Sequence, residues 1–71
     1  MNRINPEKLM KSKWTAIEPV NRQRHFIVTD VQRNDDGFVV SCELEAVLTR
    51  KASQIDWREL KDASRWQMGW K

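Results

Sequence analysis

Two side chains in the 71 residues carry intrinsic reactivity for covalent or acid–base chemistry, His25 and Cys42, each the sole member of its type. A nucleophilic hydrolase needs an attacker, a base that takes its proton and a third group that orients the base. His25 is the sole base of the usual kind, and no motif places Ser12, Ser41 or Cys42 beside it. Cys42 falls on the apolar side of its strand, where an unactivated thiol behaves as a small hydrophobe. Asp35 and Asp36 have the look of a carboxylate pair, but they precede Gly37 in a turn that itself favours Asp. Glu43 and Glu45 project from one strand face as an acidic stripe that meets cross-strand cations or water. One cysteine and one histidine exclude a disulfide framework and a Cys/His zinc site within one chain, and two glycines leave no phosphate-binding loop. The residues therefore predict a chain that is not an enzyme and holds neither metal nor cofactor.

The remaining chemistry is aromatic and cationic. The chain has four tryptophans and a formal net charge of +3. Residues 1–33 contain seven Lys or Arg against three acids, whereas residues 34–71 contain six against seven. An exposed indole beside a cation stacks a nucleic-acid base while the cation neutralises phosphate. Trp14 follows Lys11 and Lys13, Trp66 follows Arg65, and Trp70 precedes Lys71. The candidate binding residues are therefore Lys11, Lys13, Arg22, Arg24, Arg33, Trp66 and Trp70. Alternation assigns Trp14 and Trp57 to the core instead. A small positive charge is also what ordinary solubility requires, so the charge alone identifies no partner.

The elements that must position these groups are short. Asn5 with Pro6 reads as an N-cap and first helical residue, opening one or two turns. Lys13–Ile17 reads as a strand with Trp14 and Ala16 on one side, ended by Glu18-Pro19-Val20-Asn21 because proline cannot donate to a central ladder. His25–Arg33 is β-branched and aromatic, and its mixed alternation predicts a strand covered on both faces for part of its length. Asn34-Asp35-Asp36-Gly37 predicts a tight hairpin turn, with an antiparallel strand starting at Phe38. Phe38–Thr49 alternates, with Phe38, Val40, Cys42, Leu44, Ala46 and Leu48 facing inward; twelve residues is long for a strand, which predicts a bend or bulge. Arg50–Ser53 then turns, and Gln54–Trp57 forms the last short strand. Asp56-Trp57-Arg58-Glu59 has capping-box spacing and leads into a helical turn through Leu60. Trp66 and Trp70 lie four apart, which stacks them on one side of a helix, although Gly69 weakens such a helix. The tail is read as a tryptophan-bearing flap over the sheet.

Together these elements predict one domain over residues 1–71, mainly β (a β-rich α+β domain): a small curved antiparallel sheet of three to four strands, SH3-like in outline, with short helical turns near both ends. So small a core normally requires a staple, and indole burial takes that place. No apolar run is long enough to span a membrane, and a lone thiol with no signal-like apolar stretch in Met1–Lys13 predicts a cytoplasmic protein.

The fragments Asn2-Arg3-Ile4-Asn5-Pro6, Ser12-Lys13-Trp14-Thr15-Ala16, Pro19-Val20-Asn21, His25-Phe26, Leu44 to Thr49, Asp56 to Asp62 and Trp66 to Trp70, in this order, resemble a small tryptophan-rich bacterial protein family of unknown function. The resemblance implies a bacterial cytoplasmic protein and assigns no catalytic residue. Two functional expectations follow. The first is a non-catalytic binding or adaptor module whose partner the residues do not identify, a protein or a single-stranded nucleic acid. The alternative is single-stranded nucleic-acid binding through the Lys/Arg set with Trp66 or Trp70 stacking.

Overall fold

The computed structural model describes residues 2–20 and 22–71; Met1 and Asn21, and with Asn21 the end of the expected Glu18–Asn21 turn, lie outside the described residues. Five strands, β1 (Lys13–Val20), β2 (Gln23–Arg33), β3 (Val39–Ala46), β4 (Ala52–Ile55) and β5 (Trp66–Met68), form one sheet in the order β4-β3-β2-β1-β5, every neighbouring pair antiparallel. Two 3₁₀ turns, Pro6–Lys8 and Trp57–Lys61, are the helical elements among the described residues. The class is mainly β, as the alternation requires. The strand count is five instead of three to four, and the sheet is open, which does not confirm an SH3-like outline.

Both helical turns begin where the capping residues place them. Asn5 accepts a hydrogen bond from the Glu7 amide through its side chain, and Asp56 does the same for the Arg58 amide. The hairpin joining β2 to β3 also forms as expected. The Asn34 side chain accepts from the amides of Asp36 and Phe38, the Gly37 amide donates to the Asn34 carbonyl, and Gly37 takes a φ of 84°.

The long third strand is corrected at both ends. A register shift between Gln32 and Arg33 sets Arg33 opposite Val39, while Gln32 faces Ser41. This bulge at Val40 inverts the alternation, so Val39 is buried, and Phe38 and Val40, expected inside, are exposed. Cys42, Leu44 and Ala46 face the core as expected, but the strand stops at Ala46 and Leu48 is exposed in the turn that follows. The Arg50 amide closes that turn on the Ala46 carbonyl, so β4 starts at Ala52 and ends at Ile55 instead of spanning Gln54–Trp57.

A second bulge, between Val28 and Asp30, explains the mixed alternation of β2. Val28 faces inward opposite Leu44, and after one extra residue Val31 does so opposite Cys42. β1 continues through Pro19 instead of ending before it. β5 covers β1 only along Trp14–Ala16 and the β1/β2 register is irregular beyond Thr15, so no ladder hydrogen bond is required of the proline nitrogen.

The tail forms a strand and not a helix. Trp66–Met68 pairs with Trp14–Ala16, Gly69 bends the chain at a φ of 82°, and the end folds across the other face of the sheet. There the buried Thr15 hydroxyl donates to the Gly69 carbonyl at 2.6 Å and accepts from the Lys71 amide at 2.9 Å. The core lies on the concave side. Leu9 beyond the first 3₁₀ turn and Leu60 from the second pack with Trp14, Val28, Val39, Cys42 and Leu44. Trp57 seals the margin of this cluster, its indole N–H donating to the Val39 carbonyl at 2.9 Å and the Lys61 ammonium lying 4.8 Å from its ring.

Candidate functional site

Where the two 3₁₀ turns do not cover it, the concave face stays open as a cleft of about 410 Å³. All five strands contribute. Its floor is apolar: Phe26 from β2, Leu44 from β3, Ile55 from β4, Ala16 from β1 and Trp66 from β5. Phe26 and Trp66 meet edge to face with centroids 5.2 Å apart, a packing that fixes both rings. The rim is polar, with Glu18 and Gln23 at one side, Ser53 on β4, and Ser64 and Arg65 on the segment entering β5. Arg65 approaches Glu59 at 3.8 Å and both side chains are well exposed, so its guanidinium remains accessible.

The geometry of this cleft depends on a residue the sequence did not single out. The Asn2 side-chain amide donates to the carbonyls of Leu60 at 2.8 Å and Trp66 at 2.9 Å, and its backbone N–H donates to the Lys61 carbonyl. Asn2 thus ties the start of the chain to the segment carrying Arg65 and Trp66. Its long-range partners leave no mark in local periodicity.

The seven sequence-derived candidates are spread over several surfaces. Trp66 is half-buried in the cleft. Trp70 lies on the opposite face, because it packs at 5.9 Å on His25, the neighbour of Phe26 along β2, and successive strand residues point to opposite sides. The Trp70 indole N–H donates to the Phe26 carbonyl, and the Lys13 ammonium lies 4.8 Å from its ring. Lys13 and Trp70 are therefore together. Lys11 and Arg22 occupy turns at φ values of 65° and 64°, at opposite ends of β1, roughly 25 Å apart along an extended strand of that length. Arg24 is exposed on β2. Arg33 makes two hydrogen bonds to the Glu7 carboxylate, at 3.0 and 2.8 Å, and a third to the Gly37 carbonyl. Its hydrogen bonds and charge hold the Glu7 carboxyl below its ordinary value.

The reactive residues are set apart from one another. Cys42 is fully buried, and burial, reinforced by the negative charges of Asp56 and Glu59, pushes its thiol up to about 11. Such a thiol supplies almost no thiolate near neutrality. His25 is engaged through Nε2 with the Lys71 carbonyl at 2.9 Å. Among the described residues no group of three or more His, Cys, Asp or Glu side chains lies together as metal ligands, and no helix is long and apolar enough to cross a membrane.

The model of a family described as tryptophan-rich protein, DUF2389, matches residues 12–71. The match takes in every strand, the whole cleft and all four tryptophans, and leaves the first 3₁₀ turn and Asn2 outside it. No curated protein and no solved structure matches the chain.

Proposed function

The chain belongs to the tryptophan-rich protein family DUF2389, and from that premise and the open cleft we propose that it is a non-catalytic binding module whose ligand seats an apolar group on Phe26 and Trp66. One observation carries the reading. The half-buried pair Phe26 and Trp66 lines an open cleft on the face of the sheet. The cleft falls within the size range of ligand sites, roughly 300–1,000 Å³, and combines an apolar floor with few polar groups at its rim, as such sites do. The binding role is supported over catalysis by the buried, protonated thiol, by His25 Nε2 being engaged with the Lys71 carbonyl, and by the cross-strand Thr15 hydroxyl donating to the Gly69 carbonyl. The lone unpaired thiol supports a reducing, cytoplasmic setting, and the bacterial source rests on the resemblance of the chain's motifs.

Single-stranded nucleic-acid binding has weaker support. Its best feature is the Lys13–Trp70 pair, yet that indole already packs against Lys13 and His25, and the other cations of the set stand on separate surfaces or, for Arg33, on Glu7.

The test is a fragment screen by two-dimensional NMR on the full chain with small apolar carboxylates and aromatic amides. The expected result is a cluster of shift changes on Phe26, Leu44, Ile55 and the Trp66 indole, abolished in Trp66→Ala. Changes confined to Lys13, His25 and Trp70, or none at millimolar fragment, would remove the cleft from consideration.

A further inference from the structure

The cleft has a neighbour that narrows the class of ligand. β4 is an edge strand, and its hydrogen-bonding phase follows from its partner. The Ala46 amide donates to the Lys51 carbonyl, and the register pairs Leu44 with Ser53 and Cys42 with Ile55, so the odd-numbered residues of β4 direct their backbone groups toward β3. The N–H and C=O groups of Ala52 and Gln54 consequently point away from the sheet, both residues being exposed. The side chains of Ser53 and Ile55, which alternate with them, face the cleft. An unsatisfied backbone edge thus borders an unfilled apolar floor.

Resting on the cleft reading above, we propose that the partner is an extended acidic–apolar segment of another protein, which adds to β4 as a sixth strand. Its backbone pairs with Ala52 and Gln54, and its residues on the Ser53 and Ile55 side place apolar side chains against Ile55 at the β4 margin of the cleft. Strand addition of this kind takes affinity from main-chain hydrogen bonds and selectivity from pockets for alternate side chains, and both halves are present here. The charge is assigned by the rim. Arg50 and Lys51 at the start of β4 are exposed and form no ion pair among the described residues, and Arg65 stands across the cleft. An acidic residue at the end of the segment beside Lys51 meets these cations, whereas a basic one is repelled. The lone acid of the cleft, Glu18, lies on β1, away from the β4 edge.

The experiment is selection of a displayed random heptapeptide library on the full chain, followed by synthesis of the tightest sequence. Expected is a peptide with apolar residues two apart and an acid at one end, whose binding slows hydrogen exchange of the Ala52 and Gln54 amides. Methylating the peptide nitrogens that face these residues should weaken binding at least tenfold, with no change to the protein. Gln54→Pro, which removes an outward N–H at a position where an edge strand tolerates proline, should do the same. Arg50→Glu with Lys51→Glu should weaken the acidic peptide tenfold and reduce its salt dependence. No selected sequence, unaltered affinity after N-methylation, or protection arising instead from self-association through β4, visible as a concentration-dependent dimer, would overturn the proposal. A peptide whose binding is lost in Trp66→Ala but is indifferent to N-methylation would overturn strand addition while leaving the cleft as a site. Failure of the fragment screen as well would remove both.

Discussion

Replacing Trp14 with alanine should bring this protein to the edge of unfolding, whereas replacing Trp70 should not. Trp14 is 1% exposed and is the largest side chain among the fully buried ones, with its indole N–H donating to Ser12 Oγ at 2.9 Å. Truncating a buried tryptophan to alanine costs about 3–5 kcal/mol through lost transfer energy and an unfilled cavity. A chain of 71 residues has in total about 4–10 kcal/mol to lose, at the usual stability per residue. Trp70 is 43% exposed and contributes one hydrogen bond, one cation–π contact, its contact with the His25 ring and a half-buried indole, together roughly 2–3 kcal/mol. For a domain of this size each kcal/mol moves Tm by about 4–8 °C, so Trp70→Ala should melt roughly 8–24 °C below wild type while Trp14→Ala loses most or all of its cooperative transition. Far-UV circular dichroism during heating, paired with urea titration, reads both. The reasoning is refuted if Trp14→Ala melts cooperatively within about 5 °C of wild type, or if Trp70→Ala is the more damaging change.

Two further outcomes follow from the titrating groups. The Cys42 thiol is pushed from 9.0 up to about 11 in the fold, so the unfolded chain loses its proton first and stability falls as pH rises through that window. Urea titrations should show a steeper alkaline decline in wild type than in Cys42→Ala, and thiol reagents at pH 8 should label the native protein only as fast as it opens. At the acid end, hydrogen bonds from the Arg58 side chain and amide hold the Asp56 carboxyl at about 2, below its ordinary 3.8. That contribution is present above pH 3.8 and lost as pH falls toward 2, so Asp56→Asn should flatten the acid limb of the stability profile.

Local chemistry made part of the fold legible. Asn5-Pro6 and Asp56 announce helical starts through caps that work within two residues, and Asn34 to Gly37 announces a turn through Asn side-chain acceptance and a glycine φ. Cys42, Leu44 and Ala46 reveal their inward face because strand alternation is a property of the backbone. Trp14 was readable as core for the same reason.

Where the same rule failed, a distant partner had intervened. The bulge that buries Val39 and exposes Phe38 is a matter of how β3 registers on β2, and nothing within β3 encodes it. Trp66 and Trp70 have helical spacing, yet a free sheet edge at Trp14–Ala16 recruits the first into a strand, and the Thr15 hydroxyl draws the chain beyond it over the opposite face. The cleft was illegible because its floor is assembled from five strands and held in place by Asn2, more than fifty residues from the carbonyls it holds. Composition and periodicity by themselves determined a tryptophan-dependent antiparallel sheet with capped turns, since those signals act over a few residues. Tertiary structure alone decided that Trp66 lines an open site and Trp70 closes the tail, because that depends on contacts between segments far apart in the chain.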